Sequence, residues 1–138
     1  MSELRDRMLL LRDSLAAQLP ARVVTREWRP ITTRRAEDLE AGIYSVVSQG
    51  ESGYPNLNGW EARDGKHRIA VIAQLKLPES ASPEAVEDAE FELVAEMKAF
   101  VRSLPQGLCC LLLTAFTQSG QLEAPYGWVI FELESVSD

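Results

Sequence analysis

The chain has 138 residues, 46% of them hydrophobic, two cysteines and a formal net charge of −7. This is enough apolar material for one core in one domain, and the adjacent pair Cys109 and Cys110 offers neither a disulfide framework nor metal-ligand spacing, as in a reducing cytoplasm. Residues 1–35 hold eight Arg against four acids, a balance of +4, whereas residues 36–138 hold six bases against seventeen acids, a balance of −11. Such polarity allows copies to pair head to tail, and equally describes two solvated surfaces.

Residues 3–19 read as a helix, because Leu4, Met8, Leu11, Leu15 and Leu19 recur at three-and-four spacing and Pro20 stops the run. The apolar stretch Met8 to Leu11 is too short for a secretory core or a membrane span, so no export is expected. Residues 22–28, with Val23, Val24, Thr25 and Trp28, read as a strand ended by Pro30, and 29–42 as a charged loop. A second strand is expected at Ile43–Ser48, followed by a flexible Gly/Pro/Asn-rich loop from Gln49 to Asn58. From Trp60 the chain can form a hairpin turning at Asp64-Gly65, and the alternation of Ile69, Val71, Ala73, Leu75 and Leu77 makes the clearest strand.

Ser82-Pro83-Glu84 marks a helix start, and the stripe Val86, Ala89, Leu93, Met97, Phe100, Val101 and Leu104 predicts a core-facing helix ended by Pro105-Gln106-Gly107. Two strands follow, Leu108–Thr117 and Tyr126–Glu134, and the apolar run Leu108 to Leu113 suggests a strand buried on both faces, with the cysteines as small core residues. The order predicts an α+β fold with one mixed or mainly antiparallel sheet of about four to six strands packed with two helices. An open sheet has edges, which a protein must protect or use.

No residue cluster announces a reaction, so no catalytic, cofactor or metal site is expected. His67, flanked by Lys66 and Arg68 and without a partner acid or second imidazole, reads as a surface residue. Ser45, Ser48 and Ser52 lie in no nucleophile turn, and no glycine-rich phosphate loop is present. The acids Glu84, Glu87, Asp88, Glu92 and Glu96 read as a wet helix face. Glu90 falls beside the core stripe, at the boundary or paired with Arg22 or Arg26, and Phe91 falls among the acids as an interface anchor or under a loop of its own chain. The segment from Arg22 to Arg35 interleaves arginines with Trp28, a composition able to grip phosphates, but the acidic whole favours protein contact over nucleic acid.

The layout, a leading helix, paired strands, a Gly/Pro-containing loop at 49–59, a strong strand at 68–77, an acidic helix and two closing strands, resembles the tail terminator family of long-tailed phages, that of the lambda minor tail protein U. The stretches Gly42-Ile43-Tyr44-Ser45-Val46-Val47 and His67-Arg68-Ile69-Ala70-Val71-Ile72-Ala73 carry the likeness over nearly the whole chain. The resemblance implies a hexameric ring that caps the finished tail tube, ends its polymerisation and offers a surface to the head, with no catalysis, no cofactor and no membrane. Its partners would be further copies of itself, the tail tube protein and a head-completion protein, with DNA passing through the ring without specific binding. The acidic helix would line either the channel or a subunit contact. Its place would be the virion tail, and the host cytoplasm during assembly, with a free chain able to remain monomeric until it meets the tube. The subunit interface expected on this reading takes Arg22, Arg26, Trp28, Arg29, Arg34, Arg35, Tyr54, Trp60, Glu87, Asp88 and Phe91. Alternatives are another head-tail joining protein, a small host adaptor domain, or a small enzyme with an unconventional pocket.

Overall fold

Two apolar periods, near 3.6 in the helices and 2 in the strands, set the layers of this molecule. The computed structural model describes residues 3–53, 56–57, 60–61, 65–108 and 110–135, with backbone alone at 56, 57, 60 and 61. The elements in chain order are α1 (Glu3–Gln18), β1 (Val23–Thr25), α2 (Ala36–Ala41), β2 (Ile43–Ser52), β3 (Asn56–Leu57), β4 (Trp60–Glu61), β5 (Lys66–Lys76), α3 (Pro83–Arg102), β6 (Leu111–Gln118) and β7 (Tyr126–Ser135). Five strands form one mixed sheet in the order β1-β2-β5-β7-β6, with only the β1–β2 pair parallel, while β3 and β4 pair with each other. The fold is α+β.

α1 and α3 cover the same sheet face. Met8, Leu11 and Leu15 of α1 and Val86, Leu93, Met97 and Phe100 of α3 are buried, as their spacing predicts. They meet Tyr44, Val46, Ile69, Val71, Ala73, Val129, Phe131 and Leu133 from alternate strand positions, each large side chain contributing roughly 1.5–3 kcal/mol by leaving water. Ser82 caps α3, its Oγ accepting from the Ala85 N–H at 3.1 Å. Tyr44 crosses the interface, its single hydroxyl proton going to Glu96 Oε1 at 2.7 Å with the Leu93 carbonyl 3.2 Å away as the weaker acceptor. Burial and that bond to Glu96 push the phenol well above its usual range.

Several sequence expectations are corrected. The first strand is three residues long rather than 22–28, and the segment read as a charged loop contains a 3-10 turn (Ile31–Thr33) and the short helix α2. Six residues are too few to display a helical period, and Leu39 is the one that α2 buries. Gly42 ends α2 at φ +88°, where a Cβ would also stand 2.7 Å from Arg22 Nη1. Gln49 to Ser52, expected in a loop, continue β2: the register skips Gln49 as a bulge, and β5 supplies ladder partners for Gly50, Glu51 and Ser52. β4 pairs with β3 and not with β5; Asp64 of the expected turn lies outside the described residues. Leu108 and Cys110 precede β6 in a 3-10 turn and its exit, and β6 is an edge strand that exposes Leu112, so the run is not buried on both faces. Cys110 is half-buried and Cys109 lies outside the described residues.

Candidate interaction surface

The second face of the sheet is built from the residues between the core positions. Ile72 and Gln74 of β5 stand opposite Ile130 and Trp128 of β7 in the ladder. Over them runs the segment Trp28, Pro30, Ile31 and Thr32, and the loop before β7 brings in Glu123, together enclosing a cleft of about 340 Å³. Side-chain to backbone bonds hold this segment down. Gln74 Nε2 donates to the Arg29 carbonyl at 2.9 Å, and Arg34 Nη2 donates to the Glu27 carbonyl at 2.6 Å and to Ser45 Oγ at 3.0 Å. Since a carbonyl only accepts, the Arg29 bond fixes the Gln74 amide with Oε1 turned away. Among the described residues, Gln74 Oε1 and Arg34 Nε are the buried side-chain atoms without a hydrogen-bond partner. Burial, then the charge of Arg29, lowers the Arg34 pKa below its usual value.

The residues expected at a subunit interface fall into separate groups. Arg22 clamps the interior: it donates to both oxygens of Glu96, the closest approach being 2.8 Å, and to the Ala41 carbonyl at 2.9 Å. The hydrogen bond to Glu96 raises its pKa. Arg34 anchors the cleft wall as described. Arg26, Trp28, Arg29 and Arg35 are exposed on the same segment, with Arg29 paired to Glu27 at 2.7 Å and Arg35 paired to Glu37. Glu87, Asp88 and Phe91 lie on α3, on the opposite side of the sheet, where Phe91 is 47% exposed. Glu87 accepts from Gln121 Nε2 at 3.0 Å, so the loop after β6 reaches both the acidic helix and, through Glu123, the cleft. Tyr54 lies outside the described residues, as does the side chain of Trp60.

Two buried polar groups correct the sequence reading. Glu90 is 1% exposed and, among the described residues, pairs with neither Arg22 nor Arg26. Its carboxylate accepts from Ser119 Oγ, from the Trp128 N–H at 3.0 Å and from Gln118 Nε2 at 3.3 Å. Gly127 makes room for it, since a Cβ there would come within 2.8 Å of Glu90 Oε2. His67 is fully buried, with Nε2 2.8 Å from Ser48 Oγ and Nδ1 3.0 Å from Arg7 Nη1. An arginine can only donate, so Nδ1 accepts and the ring proton sits on Nε2, which donates to Ser48. A serine nucleophile needs the reverse polarity, with Nε2 free to take the hydroxyl proton, so this pair is a tether between α1, β5 and β2. Burial, then Arg7, keeps the ring pKa below its ordinary value.

The sequence hides the cleft, because Gln74, Ile72, Trp128 and Ile130 carry no local pattern beyond that of strand residues. Apolar side chains at both odd and even positions of β5 were the available signal that something covers the second face. Among the described residues, no group of three or more His, Cys, Asp or Glu stands close enough to hold a metal ion. No protein-family model matches this sequence, and no curated protein matches it either.

Proposed function

We propose that this chain is a structural subunit of a phage tail, a terminator that forms a ring on the tail tube, ends tube polymerisation and presents a surface for head joining. The observation that carries the reading is that large apolar side chains are exposed at separate places on one small chain. Trp28 is exposed at the cleft, Phe91 on α3, and Leu112 on the edge strand β6. Exposed groups on different sides suit a subunit with more than one neighbour, since each gains by being covered and no single partner covers them all. The β6 edge adds backbone groups able to pair with another chain, and Phe116 on the same strand adds apolar area. The segregated charge of the sequence supports contact between unlike surfaces.

The direct test is tail-tube protein polymerised in the presence and absence of this chain, with tube lengths and ends measured by electron microscopy. Capped tubes of arrested length support the proposal. Tubes of equal length with bare ends would sink it.

A further inference from the structure

We infer that copies of this chain join by inserting Phe91 of one copy into the Trp28–Trp128 cleft of the next. The contact rests on the assembly reading above and specifies its surfaces. The cleft is lined mainly by Trp28, Ile31, Ile72, Trp128 and Ile130, and its volume of about 340 Å³ is roomy for one aromatic side chain. Phe91 is 47% exposed, and Leu122, 87% exposed, follows the residue that binds Glu87 one helical turn before it, so both apolar groups stand at the same end of α3. Phenylalanine between two indoles gains burial and ring contact together.

Charge favours the same pairing. The segment 26–35, which supplies Trp28, Pro30, Ile31 and Thr32 to the cleft wall, carries four Arg and one Glu beside it, Arg29 being paired to Glu27 and Arg35 to Glu37. Residues 83–92, which carry the knob, hold five acids and no base, and only Glu90 among those acids is buried. Arg26, exposed and without an ion pair among the described residues, and Arg29 would meet the exposed Asp88 and Glu92. Glu123 is the acid that lines the cleft, and it stands on the loop that the incoming acids would have to clear. Because knob and cleft occupy opposite sheet faces, each copy can hold one neighbour and be held by another, a head-to-tail contact that closes into a ring when the rotation allows.

The experiment uses full-length chains followed by sedimentation from micromolar to millimolar concentration, with circular dichroism verifying the fold of each variant. The wild type should self-associate, and Phe91→Arg or Trp28→Glu should each weaken association about thirtyfold, the scale of losing one aromatic anchor. Mixing the two variants should yield a one-to-one complex and nothing larger, since one retains only the cleft and the other only the knob. Arg26→Glu with Arg29→Glu should also weaken association, and adding Asp88→Arg with Glu92→Arg to the same chain should restore it. Self-association unchanged by these variants, or variants that fail to complement, would overturn the contact. A wild type that arrests tubes yet stays monomeric overturns the contact and leaves the proposed function standing. A chain that does neither removes both.

Discussion

On the helix side of the sheet, Glu90, Tyr44 and His67 are each buried with hydrogen-bond partners, whereas on the side covered by residues 26–35 two buried atoms, Gln74 Oε1 and Arg34 Nε, have none among the described residues. The two faces are closed by different means. α1 and α3 are long helices whose apolar stripes interlock with the strands, while the second face is covered by a 3-10 turn, the short α2 and an extended segment held by a few side-chain bonds. A region with few buried apolar contacts opens at lower free energy than the core, so a surface built there can adjust to a partner without loosening the fold.

That contrast can be broken at its strongest point first. Phe131→Ala, which empties a fully buried position on the helix side, should cost about 4 kcal/mol of unfolding free energy in urea titration. A loss below about 1 kcal/mol would mean the helix side is not the stabilising one. Gly127→Ala should cost about 2 kcal/mol by the same measurement, because the new methyl meets Glu90 and Val86 Cγ1, each at 2.8 Å. Gly127→Ala should cost less in a Glu90→Ala background than in the wild type if the clash is the cause.

The third test uses pH. His67 has a folded pKa below 6.5, so folding favours the neutral ring, and the unfolded chain takes up the proton first as pH falls. Its stabilising effect is therefore complete above the unfolded pKa and lost as pH drops from 6.5 through the folded value. Unfolding titrations between neutral and mildly acidic pH should show a steeper loss for the wild type than for His67→Gln, and parallel curves would refute the tether. The smallest effect belongs to the second face: Trp28→Ala should change unfolding free energy by only about 0.5 kcal/mol, because nearly half the side chain already meets water. A cost comparable with Phe131→Ala would show that the cleft wall belongs to the core.

Regular repetition made the main scaffold legible in the sequence. The period of α1, the Ser82 cap of α3 and the alternation in β5 each involve several residues stating the same thing, and all three elements stand where they are expected. What was hidden depended on long-range partners. Gln49 to Ser52 are strand residues because β5 lies beside them, despite a glycine-rich local composition. His67 looked solvated between Lys66 and Arg68, yet those neighbours point to the other face while Arg7 and Ser48, sixty and nineteen positions away, close over the ring. Glu90 likewise needed Ser119 and the Trp128 amide, which no local pattern announces. Phe91 stands out in the sequence by its helical position among the acids and Trp28 by its arginine neighbours, and both are exposed, but the cleft beside Trp28 exists only once β5 and β7 are side by side.

The sheet's two margins are unequal, and this asymmetry limits what stacking by backbone pairing can build. β6 presents eight residues at its margin, while β1 presents three and has α1 packed nearby. A second chain that adds to β6 consumes the only long margin and offers no comparable one beyond itself if it pairs through its own β6. Runaway fibre growth needs two serviceable sides on every unit. A molecule with one long side can complete a ladder begun elsewhere, and cannot readily serve as the template for the next.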